Sequence, residues 1–372
     1  MTVPKFLVAL DSFKGTLTSK EAGEAAWKGI QSVCPHFKGK VLLFGDGGEG
    51  TMDALAQSKE AVWRQALCET PLGHPVSARW CQAEKGTLGI AETATVVGLT
   101  HVPIKERNPL KLHSGGVGKL LEAIGEAGVK RIWLCIGGTA TVDGGMGMLH
   151  ALGYQFLSSH GKPLKPSGGM MERVGRVIPP IRGNPLRGIQ FDIIADVANP
   201  LLGEKGAATV YGPQKGANPS AVRRLEAGMG NLARALLPLQ EEIPHSDIEG
   251  MGAAGGLPLG LGVLGGKIWK GAPFVAREIG LDNEWEDTDW LVTGEGIVDK
   301  QSLMGKGPWW LAERAIQHGV RVLYVSGLPP KVKALKGMKI IAAGTDIPTT
   351  SLEASQRVQR ATRKALQGGW NG

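Results

Sequence analysis

Acids and glycines recur together at five places in this chain, three of them with lysine. They are Asp11-Ser12-Phe13-Lys14-Gly15-Thr16, Asp46-Gly47-Gly48-Glu49-Gly50-Thr51, Gly137 to Gly147, Asp196 to Lys215, and Gly294-Glu295-Gly296-Ile297-Val298-Asp299 through Lys306. Each follows a short apolar run, as a loop at the end of a strand would. Glycine lets backbone approach a ligand closely, and a helix N-terminus with a lysine makes an anion site. Phosphoryl transfer asks for little more than positioning, charge neutralisation and a base that takes a hydroxyl proton.

Taken singly, the loops suggest roles. Asp11 and Lys14 are candidate catalytic groups, with Ser12 a donor to the substrate; Lys14 could instead be a solvated loop lysine. Asp46 and Glu49 suit a Mg²⁺ that bridges to phosphate oxygens, with Gly47 and Gly48 close to the nucleotide. The same two acids could simply cap the following helix. Gly138 and the hydroxyls of Thr139 and Thr141 could cradle phosphate, with Asp143 on a metal or a hydroxyl. Asp196 ends an apolar run and is a candidate general base, or else a helix cap. Asn199 and Lys215 follow it closely, Lys215 as a candidate on the nucleotide. Glu295, Asp299 and Lys306 supply another set of acids and a base, Asp299 as a catalytic group, Glu295 and Lys306 on the nucleotide.

Other phosphate motifs are missing. The chain has no G-x-x-x-x-G-K-[ST] string and no protein-kinase signature set. G-x-G-x-x-G occurs three times, Gly250 to Gly255 among them within an uncharged glycine-rich run. Gly260 to Gly265 follows no clear strand. Gly45 to Gly50 follows one and precedes a helix, with Glu69 at a suitable distance, so a dinucleotide site is the runner-up there. Asp46 and Glu49 argue against it, because both would repel a pyrophosphate.

Composition describes a globular chain: 372 residues, 42% apolar and 20% charged. That length favours two domains. The 56 glycines are about twice the usual share of roughly 7%. A net charge of +8 favours anionic small molecules and, weakly, a nucleic acid. The basic residues are spread out, however. Arg357, Arg360, Arg363 and Lys364 fall at helical spacing and read as a solvated face, so no nucleic-acid partner is expected. Four cysteines (34, 68, 81 and 135) form no C-x-x-C pair, which suits reduced thiols in a cytoplasmic protein. The apolar run Phe6 to Leu10 stops at Asp11, too short for a signal peptide or anchor. Gly250 to Gly266 is uncharged but shorter than the roughly 20 residues of a membrane helix. It reads as a buried or ligand-facing loop and helix start, and no membrane partner is expected.

The elements that must position these loops are readable from the apolar pattern. Phe6 to Leu10, Val41 to Phe44, Ile132 to Ile136, Trp290 to Val292, Val320 to Val325 and Lys339 to Ala343 look like buried parallel strands. Thr18-Ser19-Lys20-Glu21 and Thr350-Ser351-Leu352-Glu353 are capping boxes before helices. Gly115 to Gly128 reads as a helix, as does a segment opening at Pro308. Residues 63–92 alternate in polarity around the turn Pro71-Leu72-Gly73-His74, as antiparallel strands would. Residues 155–190 are rich in Pro and Gly. Strand-helix alternation at both ends thus brackets a mixed middle. The expectation is an α/β protein: one flavodoxin-like parallel domain from 1–62 and 287–372, leaning to include 112–150, with a second mixed α/β domain inserted over the rest of 63–286.

The chain resembles the type I glycerate kinases, the bacterial family that phosphorylates glycerate with ATP. The resemblance spans nearly the whole length. Asp11 onward is similar to D-S-F-K-G-[ST]-L, and Asp46 to Thr51 to D-G-G-E-G-T. Arg107-Asn108-Pro109-Leu110 matches an R-N-P-L element, and Gly137 to Gly147 resembles G-G-S-A-T-N-D-G-G-x-G. Asp196 to Leu201 resembles D-V-x-N-P-L, and Gly212 to Gly216 is a G-P-Q-K-G piece. Gly252 to Leu257 matches the glycine-rich A-G-A-A-G-G-L. Gly294 to Lys306 is similar to G-E-G-R-[LV]-D-x-Q-[ST]-x-x-G-K. The resemblance implies a two-domain enzyme with its active site between the domains, using ATP with Mg²⁺ and making 2-phosphoglycerate from D-glycerate. Arg107 joins Ser12 and Asn199 as a substrate-binding candidate.

Four segments depart from the pattern. Val142 replaces an Asn, Ile297 an Arg, Leu112 to Gly118 a Thr-rich segment, and Glu92 to Leu99 is a loose version of E-x-A-x-A-S-G-L. Losing an Arg removes a possible bidentate clamp on carboxylate or phosphate. The alternatives are therefore a kinase of another small hydroxy acid, or a nucleotide-binding relative that no longer turns over.

Overall fold

The computed structural model describes residues 3–181, 183–239, 249–300 and 302–368; Gln301 of the Gly294 to Lys306 segment lies outside them. In chain order the strands are β1 (Lys5–Leu10), β2 (Lys38–Val41), β3 (Val62–Glu69), β4 (Pro75–Ala83), β5 (Leu88–Glu92), β6 (Arg131–Cys135), β7 (Gln155–Ser158), β8 (Val174–Ile178), β9 (Gln190–Ala195), β10 (Lys267–Lys270), β11 (Trp290–Glu295), β12 (Arg321–Ser326) and β13 (Met338–Ala342). The chain forms two compact units. The first takes residues 1–46, 53–58 and 271–372, the second 47–52 and 59–270.

The first unit holds a five-stranded sheet in the order β2-β1-β11-β12-β13, with every pairing parallel. Counted within the unit, that is the flavodoxin-like order 2-1-3-4-5. β1, β11 and β12 read as continuous apolar runs because both faces are covered. Phe6, Val8, Leu10, Val292, Leu323 and Val325 meet helices Ser19–Gln31 and Ser351–Gln367. Helix Gly307–Gln317 packs on β11 and β12. Trp309 lies against Tyr324, which alternates with Leu323 and Val325 and so points to the opposite face. Thr18 and Glu21 complete a reciprocal capping box at Ser19. At Thr350 only half of the box forms: Thr350 accepts from the Glu353 N–H, while Glu353 turns to the Thr349 N–H.

The second strand lies earlier than expected. β2 is Lys38–Val41, and Leu42 to Phe44 lie beyond it, with the Leu42 N–H donating to Val8 O. β2 is an exposed edge strand of sequence KGKV, so it carries no apolar signal. Gly39 (φ +143°) crosses Phe6 so closely that a Cβ would collide with its carbonyl oxygen.

The second unit holds a six-stranded sheet, β10-β9-β6-β5-β4-β3, and a separate β7-β8 pair. β5, β6, β9 and β10 are parallel; β3 and β4 form an antiparallel hairpin. Its Pro71–His74 turn closes through the Thr70 N–H on His74 O, with Gly73 at φ +81°. β6 pairs with β5 and β9, so residues 112–150 stand in this unit and not in the first. A buried parallel strand reads the same in either sheet, and its sequence does not name its neighbours. Residues 271–286, by contrast, fall in the first unit. Among the described residues no helix is long and apolar enough to cross a membrane.

Candidate active site

In the first unit the candidate acids gather at the carboxyl ends of adjacent strands. Asp11 follows β1 directly, its N–H donating to Gly294 O at 3.0 Å, and Glu295 is the last residue of β11. β1 and β11 flank the point where the strand order reverses, the usual ligand position in an open parallel sheet. Asp46 is buried nearby and accepts the Gly307 N–H at 3.0 Å, so it caps the helix Gly307–Gln317. Glu295 Oε1 accepts from the Tyr324 hydroxyl at 2.7 Å, and its Oε2 faces Lys306 Nζ at 3.4 Å.

The charges in this group feel one another. Burial pushes the Asp11 carboxyl well above its usual range, and Asp46 and then Glu295 push the same way, against the Ser12 N–H and Lys14. Burial works to lower Lys306, but Glu295 and Asp46 outweigh it and hold the ammonium above its ordinary value. Burial, then Glu295, keeps the Tyr324 phenol protonated far beyond neutral pH. Lys14 is exposed beside Asp11. The Asp299 N–H donates to Ser302 Oγ, which holds the Val298-Asp299 turn in place. Three carboxylates with two lysines at a switch point can bind a polyanion through the cations and hold a proton on an acid.

In the second unit the loops after β6 and β9 converge. Lys215 is 4% exposed and donates to Thr139 Oγ1 at 3.1 Å and Thr141 O at 2.8 Å. Burial lowers its pKa to about 7, although Asp143 and Asp196 act to raise it. Asp196 is half-buried just beyond β9. Burial, and then Asp196, raise the Tyr211 phenol. Asn199 Oδ1 accepts from Tyr211, and its Nδ2 donates to Lys205 O, so both ends of this amide serve the fold. Arg107 donates to the carbonyls of Val102 and Leu99.

Two expectations change here. Asp143 does not present its carboxylate to a metal or a ligand hydroxyl. It is 1% exposed, and its oxygens accept from the Ser114 N–H and hydroxyl and the Gly145 and Gly147 N–H groups. The glycines of the Asp46 to Thr51 loop also serve packing: Gly137 N–H donates to Gly47 O, and a Cβ on Gly47 would lie 2.8 Å from Ile194 O. Thr51 Oγ1 accepts the Gly47 N–H. Gly138 is exposed at φ +74° and remains open to a ligand. Glu49 is exposed. Among the described residues no group of three or more His, Cys, Asp or Glu side chains is assembled for a metal. Sequence reading missed Tyr324, Tyr211 and Ser114. Tyr324 lies inside an apolar strand, and only its polar tip in a buried run hinted at a partner.

One unit with acids and lysines at the switch point of an open parallel sheet, and another with a buried lysine loop, are the features of a phosphate-handling α/β enzyme. The profile of the Glycerate kinase family matches residues 6–367, and the chain belongs to that family. It is 36% identical to the glycerate kinase of Halalkalibacterium halodurans over 86% of this chain and 84% of that one. It is 32% identical to the glycerate 2-kinase of Escherichia coli K12 over 87% and 85%. The crystal structure of a Salmonella typhimurium LT2 protein assigned as glycerate kinase 2 superposes with TM-score 0.80 at 30% identity, covering 99% of this chain and 98% of that one.

Proposed function

We propose that this protein transfers the terminal phosphoryl group of ATP to the 2-hydroxyl of D-glycerate, giving 2-phosphoglycerate and ADP. Family membership over nearly the full length supports the reaction class. The observation that carries the site is the meeting of Asp11, Asp46, Glu295 and Lys306 at the switch point of the first unit.

Within this reading, Lys306 and Lys14 neutralise phosphate oxygens, and Glu295 holds Lys306 in place. Asp11, pushed up by burial and then by Asp46, is the acid that keeps a proton. Asp196 takes the proton of the attacking hydroxyl. Gly138 and Thr139 approach phosphate through their amides, and Ser12 and Arg107 orient the substrate carboxylate. Magnesium commonly uses one or two carboxylates plus substrate phosphates, so the absence of a preassembled triad among the described residues is compatible with it. Asp46 would hold the ion, with the exposed Glu49 as the second carboxylate; bound there it would neutralise phosphate charge. Free thiols at Cys34, Cys68, Cys81 and Cys135 suit a reducing, cytoplasmic setting.

The test is ADP release with ATP, Mg²⁺ and D-glycerate, run beside other small hydroxy acids, with ³¹P NMR to locate the new ester. Turnover with another acid at higher kcat/KM would replace glycerate as the substrate. Nucleotide binding without turnover on any acid would refute the kinase assignment. Asp196→Asn should lower kcat by at least about a hundredfold with both ligands still bound; near-normal kcat would remove Asp196 as the base.

A further inference from the structure

Lys215 is buried, and among the described residues no ion-pair partner is in contact with it. Two of its N–H groups donate to Thr139 Oγ1 and Thr141 O; the third has no hydrogen-bond partner among the described residues. Two charged groups face it. Asp143, from the loop after β6, spends its carboxylate on the N–H groups and hydroxyl of Ser114, Gly145 and Gly147. Asp196, from the loop after β9, also faces Tyr211 of the helix Ala207–Tyr211. The segment carrying Lys215 is fixed against Arg107, because Gly216 (φ +94°) leaves no room for a Cβ beside the Arg107 carbonyl. Gly138, Gln214 and Gly216 are exposed on either side. The buried ammonium thus has exposed residues next to it in the chain and a donor to spare.

We propose that Lys215 is an oxyanion-binding group that takes up a proton when its ligand arrives, so that anion binding at the Gly137 to Gly147 loop is linked to pH. The inference rests on the reading that this loop belongs to the site. The ligand class is a carboxylate or phosphate oxyanion, supplied by the hydroxy acid or by the nucleotide. Burial leaves the free lysine titrating near 7, so above neutrality it is mostly an amine. An anion beside it favours the charged form and raises its pKa again. Binding then consumes a proton above pH 7, and affinity falls by up to about tenfold per pH unit in that range.

Calorimetric titration of the full chain tests this at pH 8, in two buffers of different ionisation enthalpy. ATP without divalent ion and D-glycerate are the separate arms, followed by affinity from pH 6.5 to 8.5. The expected result is uptake of about half a proton or more in the arm whose oxyanion meets Lys215. That uptake and the pH slope should vanish in Lys215→Met, whereas any uptake by the nucleotide itself persists. Should that variant not fold, Lys215→Arg carries the test: its permanent charge must abolish the uptake. Binding without linked protons in both arms, uptake unchanged in either variant, or binding of neither anion overturns the proposal. Proton-linked binding without ADP formation would leave it standing and remove the kinase reading; turnover without linked protons does the reverse.

Discussion

Asp143 shows how a buried carboxylate in a glycine-rich loop can look catalytic and be structural. A carboxyl group at 1% exposure needs hydrogen-bond donors, and here Ser114, Gly145 and Gly147 supply them. These bonds tie the starts of helices Gly115–Glu126 and Met146–Ala151 to one point. Asp143→Ala should lower unfolding free energy in urea by about 3–5 kcal/mol, since four buried donors lose their acceptor. A loss below about 1 kcal/mol would return Asp143 to the ligand-binding candidates. The residue type was legible in the sequence; its role was not, because its chief partner lies 29 positions upstream. Lys215 carries the opposite lesson. Its folded pKa, about 7, lies below the unfolded value near 10.4, so the unfolded chain binds more protons between these limits. Stability should therefore rise as pH increases from about 7 to about 10, and lose nothing further below 7. Chemical denaturation across that range should show the rise in wild type and a flatter curve in Lys215→Met.

Elements buried on both faces were legible, and exposed or irregular ones were not. Phe6 to Leu10 and Trp290 to Val292 announce themselves as apolar runs, whereas the edge strand KGKV does not. Glycine clusters were legible as loops, but not whether ligand or protein backbone comes close to them. The loop glycines differ accordingly. Gly47 (φ +103°) would place a Cβ 2.8 Å from Ile194 O, whereas Gly50 (φ +91°) has open space around it. Gly50→Ala should cost only the backbone strain of a positive φ, about 1 kcal/mol. Gly47→Ala adds a collision with immobile backbone and should cost at least about 2 kcal/mol more. Thermal melts of the two variants compare them directly, and equal losses would mean that the loop shifts freely away from the ends of β6 and β9.

At the scale of the molecule, the first unit depends on both ends of the chain and the second almost entirely on one continuous stretch, residues 59–270. Helix Ser351–Gln367 buries Ala354, Val358, Ala361 and Ala365 in the core shared with β1, β11, β12 and helix Ser19–Gln31. The two helices approach so closely that a Cβ on Gly29 would lie 2.7 Å from Gln359 O. Ending the chain at residue 349 removes that layer and uncovers one face of the parallel sheet. Such a sheet is stable only when covered on both faces. Hydrogen exchange of the truncated protein should then lose protection in β1, β11 and β12. Protection in β5, β6 and β9 should persist, because their core draws on helices within residues 59–270. Uniform loss through both sheets would mean that the two units fold as one cooperative block; retained protection in β1 would mean that the C-terminal helix is dispensable to the sheet that carries Asp11 and Glu295.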